Sequence, residues 1–214
     1  MSATHAENLV DAIQAKPIEL EALPARPLNA NARRLTLQKL EAHRFAGLHK
    51  FGTPSNPPDN YIHEFSPSFT LFEGRNGSGK TSLANAIIWV LTGELLRAQR
   101  EPESAKVEFE CKVGPAESGA EATMHRITPV TPLPDAQSHR PDRDFVHADT
   151  WAELTFVDET GTELPPIRRT QSRSTQGRLN EVPPDLSLLG LDPIAVRIGT
   201  VMPGLLSVIR LGGE

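Results

Sequence analysis

The chain has 214 residues, a net charge of −5 and an ordinary composition, with 38% hydrophobic and 23% charged residues. This length suits one domain, the negative charge excludes a general attraction to nucleic acid, and the single Cys111 excludes a disulfide framework. Since the longest clean apolar run (86–91) is too short for a bilayer and the N-terminus lacks a secretory signal, the sequence predicts a cytoplasmic protein.

Residues 1–34 contain several prolines and few large apolar groups, which predicts a flexible N-terminal extension. The first strong strand pattern covers residues 34–45, where Leu35, Leu37 and Leu40 alternate with one slip that indicates a bulge. A short second strand is predicted at residues 61–65.

Residues 74–81 contain G-x-x-x-x-G-K-T, the phosphate-binding loop of nucleoside triphosphatases. Phe69, Leu71 and Phe72 before it predict a buried strand, and residues 82–91 after it predict an apolar helix that Gly93 ends. A strand, a glycine-rich turn and a helix form the context that this motif needs. The predicted nucleotide-binding residues are Gly74, Arg75, Asn76, Gly77, Ser78, Gly79, Lys80, Thr81 and Ser82.

The chemistry of the loop follows from its residue types. Glycines let the backbone curl so that successive N–H groups face one anion, and the helix adds its positive N-terminal end. Lys80 supplies a positive charge for the β- and γ-phosphates, and the Thr81 hydroxyl is a ligand for Mg²⁺. ATP and Mg²⁺ are therefore the predicted ligands. The seven histidines show no close ligand spacing that would predict another metal site.

Two antiparallel hairpins are predicted beyond the helix, one from residues 106–113 and 122–127, the other from 152–157 and 164–170. Residues 129–149 between them are rich in proline and charge and predict a solvated insertion. Residues 168–178 favour a flexible surface loop, with contact to nucleic-acid phosphates as the alternative. The candidates for that contact are Arg168, Arg169, Arg173 and Arg178.

The C-terminal part changes to helical character. Asp192 followed by Pro193 predicts a helix N-cap with proline at the first helical position. Residues 199–214 are predicted to be a truncated helical segment that leads to a missing C-terminal part. The domain prediction is therefore an extension at 1–34, an ATPase lobe at 35–198 and this final segment.

Residues 74–81, with the strand and loop pattern before them, resemble the N-terminal head segment of the SbcC/RecF/SMC class of ABC-type P-loop ATPases. The resemblance covers about residues 35–96. It implies an α/β fold with α+β character, a strand–loop–helix core and antiparallel hairpins. It also implies a nucleotide contact from the turn after the first strand, for which Arg44 is the candidate.

Such heads bind two ATP molecules between two subunits, and hydrolysis needs a Walker B aspartate with an adjacent glutamate. In the family these lie in a complementary C-terminal lobe. Asp158 and Glu159 are the weak catalytic candidates here, but Asp158-Glu159-Thr160-Gly161 is also the composition of a hairpin turn, which is the favoured interpretation. No L-S-G-G-Q-like segment occurs in the sequence.

Three functions remain open at this point. The first is the ATP-binding half of an ATPase of DNA double-strand break repair or chromosome maintenance, with a second head or lobe as partner and DNA as a further ligand. The second is a self-contained small kinase, which would need strands that alternate with helices on a parallel sheet. The third is a binding module that uses ATP without hydrolysing it.

Overall fold

The computed structural model describes residues 35–50, 60–66, 70–96, 102–113, 123–133 and 146–201, with side chains as far as Arg197. Its helices are α1 (Lys80–Thr92) and α2 (Pro193–Val201), and a 3-10 turn covers Leu186–Leu189. Neither helix in these ranges is long and apolar enough to cross a membrane. The strands are β1 (Thr36–His43), β2 (Tyr61–Glu64), β3 (Glu94–Leu95), β4 (Glu103–Ser104), β5 (Phe109–Val113), β6 (Thr123–Ile127), β7 (Thr150–Val157), β8 (Ile167–Arg173) and β9 (Leu179–Val182).

The main sheet has five strands in the order β2-β1-β7-β8-β9, and every neighbouring pair is antiparallel. The register of β1 on β7 shifts between Leu37 and Lys39, which confirms the predicted irregularity in the first strand. The hairpins β5–β6 and β7–β8 confirm the two predicted from alternating apolar residues. The strand pattern in the sequence was sufficient here because one face of each strand is buried.

Helix α1 packs against the sheet and forms the centre of the core. It buries Leu83, Ala86, Trp89 and Val90, a spacing that places them on one face of a helix. They join fully buried Leu40, Leu154 and Ile167 in one cluster. Burial of each large apolar side chain stabilises the fold by about 1.5–3 kcal/mol, so this face fixes the position of α1 on the sheet.

The end of α1 follows the sequence prediction. Gly93 adopts φ 79°, and its N–H donates to the carbonyl of Trp89 at 2.8 Å, which closes the last turn. Asp192 likewise caps α2, because its Oδ1 accepts from the N–H of Ile194 at 2.9 Å.

The predicted buried strand before the glycine-rich loop is wrong for its described residues. Residues 70–75 form no strand, and Leu71 and Phe72 are 73% and 38% exposed. Phe69 lies outside the described residues. Both sides of β1 are occupied, by β2 and by β7, so the run cannot join the sheet beside the first strand, and it pairs with no other described strand.

Two further sequence predictions need correction. Residues 168–170 belong to the returning strand of the predicted hairpin, and 171–173 continue this strand as part of β8, so the surface-loop interpretation is wrong for 168–173; only 174–178 form a turn. The ends of the predicted insertion are not fully solvated, because Val130 and Val146 are buried. Val130 also accepts, through its carbonyl, the N–H of Ala46 at 2.9 Å. Residues 134–145 of that insertion, like 1–34 and 202–214, lie outside the described residues.

Candidate nucleotide-binding site

The loop before α1 has a backbone that requires glycine. Gly77 and Gly79 adopt φ values of 82° and 88°, in the left-handed region that side chains disfavour. At Gly74 a Cβ would lie 2.7 Å from the Ser78 hydroxyl oxygen, so a larger residue there would displace this hydroxyl. Gly77 and Gly79 therefore have a conformational reason, and Gly74 leaves room for the Ser78 hydroxyl.

Helix α1 begins directly after this loop. Its first hydrogen bond runs from the N–H of Leu83 to the carbonyl of Gly79 at 2.9 Å. No side chain caps the helix, and its first turn contains no acidic residue. The N–H groups of the first turn and the positive end of the helix dipole are thus directed at the loop, as anion binding needs.

Lys80 lies inside the loop. Its Nζ donates to the carbonyl oxygens of Gly74 at 2.5 Å and Arg75 at 2.9 Å, and it lies 3.5 Å from the Ser78 hydroxyl oxygen. No carboxylate among the described residues pairs with this ammonium group. The loop therefore holds a full positive charge at the N-terminus of a helix.

The next two residues occupy different environments. Thr81 is exposed on the first turn of α1, whereas Ser82 is half-buried beneath the turn that follows β1. An exposed hydroxyl beside Lys80 is a hard oxygen donor of the kind that Mg²⁺ prefers, so Thr81 fits as one ligand of this metal. The Arg75 and Asn76 side chains are exposed at the loop tip.

The turn after β1 supports the loop from below. Phe45 and Leu48 are buried, and the Phe45 ring packs 5.5 Å from that of Trp89 in α1. Between them Gly47 adopts φ 80°, and a Cβ added there would lie 2.0 Å from the Ser82 hydroxyl oxygen. The position of the glycine-rich loop therefore depends on the chain just after the first strand.

A cavity of about 360 Å³ opens beside the start of α1. Burial, then the charge of Arg44, then that of His43 lowers the pKa of His49 below its usual value, which favours the neutral ring. The aromatic rings of His63 and Phe72 lie 5.2 Å apart in the cavity wall. Besides Ser78, Gly79 and Lys80, the walls include Gly47, Leu48, His49, Lys50, Tyr61, His63, Phe72, Glu73 and Leu83.

Sequence reasoning missed the aromatic wall of this cavity. Its residues come from three separate segments, and only the pairing of β1 with β2 brings Tyr61 and His63 next to the loop. The density of aromatic residues between 61 and 72 was the one available signal. Arg44, the sequence candidate, adopts φ 53° at the end of β1 and does not line this cavity.

Asp158 and Glu159 lie in a hairpin turn, as the favoured interpretation predicted. Asp158 Oδ1 accepts from the N–H groups of Thr160 at 2.9 Å and Thr162 at 3.0 Å, and Gly161 adopts φ 81°. This turn follows the last residue of β7. Trp151, near the other end of the same strand, pairs with His43 at the end of β1, close to the turn that supports the glycine-rich loop. Asp158 lies seven residues after Trp151, a length of about 23 Å along an extended strand, so Asp158 is far from the glycine-rich loop.

Three of the four arginines proposed for nucleic acid are in ion pairs. Arg168 Nε lies 2.9 Å from Glu153 Oε2, and its guanidinium stacks on Trp151. Arg169 and Arg173, each less than a tenth exposed, pair with Glu181 and Glu108 at 2.9 and 2.7 Å. Arg178 is exposed in the β8–β9 turn. The sequence could not show this because the acidic partners are distant in the chain.

The left-handed glycines of the loop, the lysine held by the loop carbonyls and the uncapped start of α1 are together the features of a P-loop nucleoside triphosphatase. The chain belongs to the AAA domain family, whose sequence model matches residues 58–187. It also resembles the DNA replication and repair protein RecF of Desulfitobacterium hafniense, strains DSM 10664 / DCB-2 and Y51. Each match is 42% identical over 43 residues, 20% of this chain and 12% of the relative, so only a small part of those proteins is represented.

Gly47→Ala should weaken nucleotide binding, because the added methyl group clashes with Ser82 and the alanine resists a φ of 80°. We expect a loss of roughly tenfold in affinity for ATP–Mg, or about 1.4 kcal/mol. Gly161→Ala is the matched control, since it changes a glycine at φ 81° with open space around it and far from the loop. Equal affinity of the two variants in calorimetric titration would contradict this support of the loop by the turn.

Proposed function

We propose that this chain is the ATP–Mg-binding part of an SMC/RecF-like ATPase. The observation that carries the proposal is the arrangement of Lys80 within a glycine-rich loop at the N-terminus of α1. This arrangement presents a cation, a helix dipole and backbone donors to the same anion. The family match and the short RecF similarity support the same class.

The residues of the site have separate roles in this proposal. The triphosphate lies along residues 74–80, and the Lys80 ammonium moves from its carbonyl partners to the β- and γ-phosphates. Thr81 ligates Mg²⁺, which supplies neutralisation of the phosphate charge when bound. The base lies in the adjacent cavity, where Tyr61, Phe72 and His49 offer ring faces for stacking.

We propose that hydrolysis needs a complementary C-terminal lobe, which supplies the Walker B carboxylates, and a second head, whose signature segment completes the site. The position of Asp158 in a turn at the distal end of β7 supports this, because that carboxylate already accepts hydrogen bonds from its own turn. The RecF relatives are DNA replication and repair proteins, and this similarity supports a role of the same class for this chain. We propose repair of double-strand breaks as the particular process. In that role, exposed Arg178 remains a candidate for DNA contact.

Measurement of turnover tests this division of labour. We expect the chain alone to bind ATP–Mg and to release phosphate very slowly, because transition-state stabilisation by a partner is absent. Asp158→Asn should leave that slow rate unchanged. Rapid hydrolysis by the chain alone, abolished by Asp158→Asn, would overturn the proposal and assign Asp158 a catalytic role.

The other two functions have less support. A small kinase would alternate strands and helices on a parallel sheet, whereas every strand pair in the described residues is antiparallel. If the chain were a non-hydrolysing module, addition of a complementary lobe would not increase the rate of ATP hydrolysis. Measuring hydrolysis with and without this lobe therefore distinguishes a non-hydrolysing module from an ATPase.

A further inference from the structure

A second cavity, of about 590 Å³, lies between the β5–β6 hairpin and the β8–β9 turn. It shares no lining residue with the cavity beside the P-loop. Arg126 comes from β6, Arg173 and Arg178 from the β8–β9 hairpin, and His147 from the segment before β7. Three separate parts of the chain therefore direct basic side chains to one space.

The charges in this cavity do not cancel. Among the described residues that line it, Glu108 is the only acidic one, and it pairs with Arg173 at 2.7 Å. Arg173 also donates to the carbonyl of Gly177 at 2.8 Å, so it holds the turn in place. Arg126 is 69% exposed and lies only loosely, at 3.9 Å, from the same carboxylate. No carboxylate among the described residues pairs with Arg178.

Two imidazoles complete the polar wall. His125 Nδ1 and His147 Nε2 lie 3.2 Å apart, and their rings meet edge to face. Two neighbouring histidines are often part of a metal site, but the described residues contain no group of three ligands that could hold a metal ion. The neighbouring guanidinium groups would also repel a cation. The chemistry of the cavity is that of an anion site.

We propose that this cavity binds a phosphate group at a site separate from the P-loop, with Arg126 and Arg178 as its principal ligands. A guanidinium fork donates two parallel hydrogen bonds to phosphate oxygens, and two forks on opposite walls can hold one phosphate between them. The phosphate comes either from a free phosphate ester or from a phosphodiester of a nucleic-acid strand. The local positive charge in a chain of net charge −5 gives this site its selectivity for anions.

The test uses the full chain with Lys80→Ala, which removes the main cation of the P-loop, so the outcome does not depend on ATP binding. Inorganic phosphate is titrated by calorimetry at constant ionic strength. Arg126→Ala and Arg178→Ala should each weaken its binding by about tenfold, the loss of a charged hydrogen bond. Lys112→Ala is the matched control, because Lys112 is an exposed cation on β5 outside the cavity.

A second titration identifies the source of the phosphate. Anisotropy of a fluorescent oligothymidylate of about 15 nucleotides reports strand binding. If both arginine variants weaken it and phosphate competes with it, the ligand is a phosphodiester; if only phosphate binding responds, the ligand is a free ester. Absence of phosphate binding in the Lys80→Ala protein, or an equal loss with Lys112→Ala, would overturn the proposal.

Discussion

Lys80→Ala is expected to lower the affinity for ATP–Mg by roughly 10- to 150-fold, the equivalent of about 1.5–3 kcal/mol for a hydrogen-bonded charge. The reason lies in its surroundings, since its ammonium is held only by uncharged oxygens of the loop and pairs with no described carboxylate. Calorimetric titration with ATP–Mg measures this loss. Because Lys80 is outside the apolar core, the thermal midpoint without nucleotide should change little.

Two variants make this result specific. Lys80→Arg keeps the charge but changes its geometry, so it should retain part of the affinity. Lys112→Ala removes an exposed lysine of β5 that lines neither cavity and should bind as the unmodified chain does. Unchanged affinity in Lys80→Ala would show that the P-loop is not the nucleotide site.

Glu181→Gln is expected to lower the free energy of unfolding by about 3–5 kcal/mol, because it leaves a buried arginine without its counter-charge. The side chains of Glu181 and Arg169 are 4% and 8% exposed, and Arg169 Nη1 lies 2.9 Å from Glu181 Oε1. Arg169 Nε also donates to the carbonyl of Val90, and burial lowers the pKa of this arginine while Glu181 opposes the shift. The expected loss is a large fraction of a typical domain stability of roughly 5–15 kcal/mol.

The neighbouring ion pair provides the control for this effect. Glu153→Gln removes the partner of Arg168, whose side chain is 47% exposed, so about 0–1 kcal/mol should be lost. The double change Arg169→Met with Glu181→Leu removes both charges and should be less destabilising than Glu181→Gln alone. Urea unfolding measures all three. Equal losses for Glu153→Gln and Glu181→Gln would refute the role of the buried pair.

Glu181 also shows why a buried polar network escapes sequence analysis. Its second carboxylate oxygen accepts from Gln171 at 2.9 Å, and Gln171 in turn accepts from the Thr128 hydroxyl at 2.8 Å. These side chains are up to 53 positions apart in the chain, and each is of a type that usually lies at the surface. The sequence of 168–178 therefore favoured an exposed basic loop, whereas pairing of β8 between β7 and β9 buries the side chains of Arg169, Gln171 and Arg173.

The sequence alone determined the features that depend on local chemistry. Helix α1, its end at Gly93, the bulge in β1, the two hairpins and the Asp158 turn follow from periodicity, glycine and turn residues. The P-loop belongs to this group because its backbone conformation depends on glycines within one short segment.

Only the tertiary structure decided what depends on distant partners. It placed the turn at Gly47 beneath the loop, excluded a strand at 70–75 and brought Tyr61 and His63 to the cavity beside Lys80. It also paired three of the four candidate arginines with acids. The physical reason is that strand pairing and ion pairing join residues far apart in the chain, and no local pattern specifies which partner each one finds.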